Sequence, residues 1–348
     1  MATYINANSV AFSNNTFENN KNIVNVDLRN TAFVNNYMRS AFYNCTNLQS
    51  VTNINTSVTD MRNTFSGCSS LVNAPIIPNS IIDIQSTFSG CYNLVNAPAI
   101  PNSVINMLGT FSGCSSLVNA PIIPNSVTTM HSTFSGCSNL INAPVIPNSV
   151  TNMYSTFGGC TNLVNAPAIP NSVTDMYGTF DVCSKLVSAP SIPNSVINMH
   201  HTFSECFNLV NAPVIPNSVT TVSGTFSGCT NLVNAPVIPN SVIDMYSTFY
   251  GCSNLTGDIY IYSNQVSNAT NCFYNTSLTK NVYIPFTYGN NINTRTYNSF
   301  IAAGYDTLGT TDGVYLKNIN EIPPSLSYSR DIAKDLIYNS STGNYDPV

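Results

Sequence analysis

The chain has 348 residues, enough for two or three average domains, yet only 7% are Asp, Glu, Lys or Arg, against roughly 25% in ordinary soluble proteins. Apolar residues make up 43%, which argues against disorder, and the net charge of −5 comes from ten basic and fifteen acidic residues scattered without runs. That pattern offers no positive surface to nucleic acid, and Asn, Ser or Pro breaks every apolar stretch before it could insert in a membrane.

The first residues, Met1-Ala2-Thr3-Tyr4-Ile5-Asn6, lack the basic segment and apolar block of an export signal. Residues 1–37 read as an N-terminal cap, a degenerate rung in which Phe17, Ile23, Val26 and Leu28 echo the apolar spacing of the regular units. From there Phe recurs at 42, 65, 88, 111, 134, 157, 180, 203, 226 and 249, a period of 23 without a slip. Cys45 through Cys252 and Leu48 through Leu255 keep the same period, three and six residues later, so ten of the eleven cysteines are explained together. A unit this short cannot bury its own apolar face, so the units must stack with Leu, Ile, Val, Met, Phe and Cys in inward rows. Residues 38–255 are therefore a repeat solenoid, and at about 4.8 Å per rung its ten units extend about 50 Å.

Within eight units a pair of prolines, Pro75 and Pro78 in the first and Pro236 and Pro239 in the last, removes two backbone donors. The expected strands are parallel and short, with two or three paired residues per rung. The adjoining Pro-Asn-Ser reads as a turn, and Ser-Val-x-x-Met as either a second extended segment or a tight helical turn. Asn73 through Asn234, interrupted by Ser188, form one Asn row and Asn79 through Asn240 another, so stacked amides could bond along the array. The stacked cysteines point the same way and are expected to be reduced, buried and unpaired.

Residues 256–348 read as a C-terminal cap with a docking segment. Leu278 and Val282-Tyr-Ile-Pro285 resemble one more rung, Asn298-Ser299 should cap a helical turn over Phe300–Gly304, and Arg330–Ile337 should be a second short helix.

The repeated Leu-x-x-Ala-Pro-x-Ile-Pro-Asn-Ser-Val-x-x-Met-x-x-Thr-Phe-Ser-Gly-Cys resembles the BspA-like class of bacterial leucine-rich repeats over about two thirds of the chain. It departs by one extra residue in the strand half and one fewer before Phe. The resemblance implies a solenoid with degenerate caps at both ends and a non-enzymatic adhesion or recognition protein. It does not fix one ligand, and such repeats also occur in phage tail and fibre proteins.

The position after the Met row refuses to be constant: Arg62, Gln85, Leu108, His131, Tyr154, Tyr177, His200, Ser223 and Tyr246. Tyr and His offer a flat face and a polar edge, so this stripe is the candidate ligand surface, for sugar rings or a protein; drift at an exposed position is the competing explanation. A second candidate patch gathers Asp181, Val182, Lys185, Ser188, Ser191, His201, Glu205 and Phe207, which all break the consensus within two adjacent units; the competing explanation is again drift. His200-His201-x-x-x-Glu205 supplies too few ligands for a metal, and no nucleophile elbow, P-loop or Cys-x-x-Cys is present. Asp175, Asp181 and Glu205 could pair for hydrolysis, but carboxylates at such positions more readily face solvent. The sequence thus implies no catalysis, no metal and no cofactor. The expected partners are a host cell-surface glycan or protein and, through the C-terminal segment, other assembly subunits, without nucleic acid or membrane insertion. The missing export signal favours a virion component, with a bacterial cell surface as the alternative, and a structural spacer or decoration protein is the competing function.

Overall fold

The structure is a computed structural model that describes residues 3–6, 11–29, 31–276, 280–286, 294–311, 313–321, 336–339 and 344–347. At the N-terminal end, strands β1 (Thr3–Asn6), β2 (Ala11–Phe12), β3 (Ile23–Asp27), β4 (Ala32–Phe33) and β5 (Ser50–Thr52) form two small parallel sheets, β1-β3-β5 and β2-β4. Phe17 already stacks on Phe42, ring centroids 5.6 Å apart, so the stacking of phenyl rings starts before the strict period does.

Through the array the strands shrink to isolated parallel bridges, in two rows. One runs from Asn73–Asn96 to Asn211–Asn234, the other from Tyr37–Asp60 to Asp244–Asn268. Pairing is thus one residue wide in each half of a rung, narrower than the two or three the sequence suggested. The proline two residues past the first bridge has no N–H with which to widen it. The second row settles Ser-Val-x-x-Met as extended at the residue before Met. Between the two rows, Ile81 N–H donates to Pro78 O at 3.1 Å, closing the Pro-Asn-Ser turn. In the proline half the backbone donates backward, as from Ile105 N–H to Ile82 O at 3.0 Å. In the Phe half it donates forward, as from Phe65 N–H to Thr87 O at 2.9 Å.

The core is a set of rows. Phe42 through Phe249 are fully buried, and from Phe65 onward successive rings lie nearly parallel at 5.6–5.9 Å. All eleven cysteines are buried and free. Each thiol from Cys68 to Cys252 donates to the carbonyl of the Phe one rung back, at 3.0–3.2 Å. A polar row lies beside them. Thr64 through Thr248 are wholly buried, and their hydroxyls donate to main-chain carbonyls of the rung before, as Thr156 does to Met130 O at 2.8 Å. Ser80 and its counterparts do the same from the turn, at 2.5–2.7 Å for Ser126 through Ser241. Buried hydroxyls with a partner cost little, whereas unpaired ones cost about 1–3 kcal/mol each.

Stacking continues past residue 255. Phe273 lies on Phe249 at 5.7 Å and 1°, one residue late, with Cys272 where Thr248 stands one rung earlier and Thr276 where Cys252 stands. The eleventh cysteine therefore occupies the threonine row. Strand β6 (Ile259–Tyr260) pairs in parallel with β7 (Lys280–Ile284), and β7 with β8 (Val314–Asn318). Between β7 and β8, helix α1 (Arg295–Ala302) buries Phe300, which with Tyr305 closes the end of the Phe row against Phe273. Its cap is Thr294, whose hydroxyl accepts from Tyr297 N–H at 3.2 Å, so the helix starts earlier than the expected Asn298-Ser299 cap. Strands β9 (Leu336–Asn339) and β10 (Asn344–Pro347) form an antiparallel pair. The helix expected over Arg330–Ile337 thus ends in strand at Leu336 and Ile337, and residues 330–335 lie outside the described residues. Among the described residues no helix is long and apolar enough to cross a membrane.

Candidate interaction surface

The variable stripe is held by the residue two before it. Asp60, Asp83, Asn106, Asn152, Asp175, Asn198 and Asp244 each turn a side-chain oxygen onto the N–H two residues on, at 2.8–3.0 Å, closing a local turn. That turn fixes the backbone from which Arg62, Gln85, Leu108, Tyr154, Tyr177, His200 and Tyr246 project. Thr129 and Thr221 do the same more weakly for His131 and Ser223, at 3.4 and 3.3 Å.

Four of the stripe residues form one stack. His131 meets Tyr154 at 4.3 Å, Tyr154 lies on Tyr177 at 4.5 Å and 4°, and Tyr177 meets His200 at 4.8 Å. His201 joins from the other candidate patch, 4.5 Å from His200 and edge-on to Tyr177 at 6.2 Å. The remaining stripe residues stand apart. Arg62 is bonded to Asp60 at 2.9 Å, as is Arg39 of the same row at 2.6 Å, while Ser223 is buried and leaves exposed Tyr246 beyond a gap. The rings of the stack cover one another's faces, so a sugar ring cannot lie flat on Tyr154 or Tyr177. Solvent meets their edges instead, which carry hydroxyls and imidazole nitrogens. Burial holds His131 and His200 below the usual imidazole range, with His201 adding to the effect on His200, so both are neutral at pH 7. Burial and the neighbouring Tyr154 push the Tyr177 hydroxyl up.

Of the patch, the structure brings Asp181 and His201 together beside the consensus residue Ser204: burial pushes the Asp181 carboxyl up, opposed by a hydrogen bond from Ser204 and the nearness of His201. Lys185 donates to Asn162 Oδ1 at 2.7 Å, and Glu205 and Phe207 are exposed. Among the described residues no group of three or more His, Cys, Asp or Glu side chains is placed to hold a metal. Val182, His201 and Glu205 have φ of +59°, +51° and +55° at positions where other units place Gly, Ser or Asn. A β-branched or long side chain in the left-handed region costs about 1–2 kcal/mol. Replacing Val182 or Glu205 by Gly is therefore expected to raise stability by about 1 kcal/mol each, read as a higher denaturant midpoint; an unchanged or lower midpoint would show that these residues are held without strain. The next rung has adapted to the patch, since a Cβ on Gly224 would lie 2.4 Å from His201 Cε1.

Sequence reasoning missed two features. One is the buried threonine row, which reads as solvent-facing. The other is an aliphatic surface on the proline half: Ile76, Ile122 and Val145 are 87–89% exposed, beside a row of partly exposed Val and Ile at Val72 and its counterparts. Alternation across Pro-x-Ile-Pro could have found it, because Ile77 points inward and its neighbour cannot.

Comparison with known proteins yields a family model described as a BspA type leucine rich repeat region, in six copies, over residues 3–108, 62–187 and 177–301. The fold is similar to that of a leucine-rich repeat protein from Bacteroides ovatus, at TM-score 0.58 and 21% identity over 92% of each chain. It is also similar to a leucine rich cell surface protein from Faecalibacterium prausnitzii, at TM-score 0.51 and 21% identity over 80% of this chain and 83% of that one. No curated protein sequence matches. At such identities the two likenesses speak to the fold.

Proposed function

Because the chain belongs to the family of BspA-type leucine-rich repeat proteins, we propose that it is a non-enzymatic recognition module that presents the His131–His200 stack to a glycan or protein on a cell surface. The observation that carries this reading is the stack itself: four half-buried rings in consecutive rungs, joined by His201, on an array whose inward rows are nearly invariant. A continuous edge of hydroxyls and imidazoles in a fixed frame loses little side-chain entropy on binding. The polar, strained residues beside it, His201 and Glu205, would supply selectivity. The setting we propose is a bacterial surface, in keeping with the description of the Faecalibacterium protein; a phage tail or fibre is the other place where such an array would meet a cell.

The test is binding of fluorescently labelled protein to intact bacteria, with Tyr154, Tyr177 and His200 all replaced by Ser in a parallel variant. Saturable binding by the native chain, lost in the variant while its melting curve is kept, is the expected result. Failure to bind any candidate cell would favour a structural spacer, in which removing two whole units shortens an assembly by about 10 Å without dissolving it.

A further inference from the structure

We propose that the proline half of the array is the interface of a two-fold symmetric homodimer. In eight consecutive units, from Leu71–Ile82 to Leu232–Ile243, this half contains no Asp, Glu, Lys, Arg or His. It is nevertheless the half that exposes aliphatic side chains, with Ile76 and Ile122 at 89% and Val145 at 87%. At about 4.8 Å per rung the face is about 40 Å long, and at five or six residues wide it offers about 700 Å² per copy. That is the size of one side of a standard stable interface.

The residue between the prolines, read every 23 positions from 76 to 237, is Ile, Ala, Ile, Val, Ala, Ser, Val, Val. A two-fold axis between Val145 and Ala168, at the centre of the eight, reverses this order on the second copy. Val145 then meets Ala168, Ile122 meets Ser191, and Val214 meets Ala99, so each large side chain faces a small one. At the ends Ile76 meets Val237, whose side chain is already half-buried. Two surface grooves coincide with small residues of the row, one lined by Pro144, Val145, Pro167 and Ala168 and the other by Pro75, Ile76, Pro98 and Ala99. A second copy has the same rung period, so its side chains stay in step along the whole face, and the contact is self-complementary as a closed dimer requires. The stripe, on the other half of each rung, is not used, and the proposal does not rest on its reading.

The test uses the full chain with Ala99→Cys and Val214→Cys together. Within one molecule these positions are five rungs apart, about 24 Å, far beyond disulfide reach, whereas across the two-fold they are opposed. Mild oxidation is expected to give a covalent dimer on a non-reducing gel, and neither single variant should do so. In sedimentation equilibrium the unmodified chain should be a dimer, and Ile122→Asp should weaken it by about a hundredfold through an unpaired buried charge, with an unchanged circular dichroism spectrum because the position is exposed. A monomer at every concentration, a dimer indifferent to Ile122→Asp, or equal cross-linking by the single variants would overturn the proposal.

Discussion

Raising the pH from 8 to about 10 in reducing buffer is expected to unfold the protein completely, because the thiols of the core release their protons in the unfolded chain but hold them in the native state. Free thiols titrate near 8.5. In the fold, burial pushes Cys45 up to about 11 and Cys114 and Cys252 to about 12, and drives Cys91, Cys137, Cys160, Cys206 and Cys229 well above their ordinary value. A group whose folded pKa is raised contributes stability that is complete below the unfolded value and drains away as the pH climbs towards the folded one. Each thiol still protonated only in the native state removes about 1.4 kcal/mol per pH unit. Cys68 through Cys272 together, ten thiols, therefore remove about 14 kcal/mol per unit above pH 9. A domain typically has about 5–15 kcal/mol in all, so the midpoint should fall within roughly one unit above pH 9. The raised Tyr177 and Tyr260 hydroxyls act in the same direction. Circular dichroism against pH, with proton release followed on unfolding, checks this. A native spectrum at pH 11 would show that the thiols do not titrate as their burial demands.

Phe134→Ala should cost about 3–5 kcal/mol. Its ring is wholly buried between Phe111 and Phe157, at 5.6 and 5.7 Å, and neither neighbour can follow it into the space without leaving its own rung. Because rungs touch only adjacent rungs, the cavity also interrupts the coupling that makes the array melt as a unit. The expected signature in urea is a lower midpoint together with a shallower or two-step transition. Phe17→Ala, at the end of the row where the side chain is only partly buried, should cost less. Equal melting curves for Phe134→Ala and the native chain would contradict a core built by stacking.

The inward rows are readable in the sequence because a residue buried against its own copy has no freedom to change: Phe, Cys and Leu at fixed intervals already say which side is in. Polar residues carry no such sign. Thr156 looks like surface until its hydroxyl is seen to meet Met130 O, and only the main-chain path decides that. The strands are narrower than expected because the prolines limit pairing more severely than their number suggests. For the stripe, alignment of the rings follows from the period, but whether Tyr154 turns its face or its edge to solvent depends on side-chain rotation, which no pattern records. The strain at Val182 and His201 is half visible, each being a departure from its own row of small residues. Its physical meaning comes only with the sign of φ.

Hydrogen bonds between rungs run backward in one half of each unit and forward in the other, and across the regular array they reach only the next rung in either direction. Units away from His201 can therefore be removed or copied and the two cut surfaces will find matching partners. In a gene this means that misaligned recombination between near-identical repeats, which is ruinous in most coding sequences, returns a foldable product here. The length of the array, and with it the number and order of side chains displayed on each face, is open to rapid change by inheritance while the core stays the same.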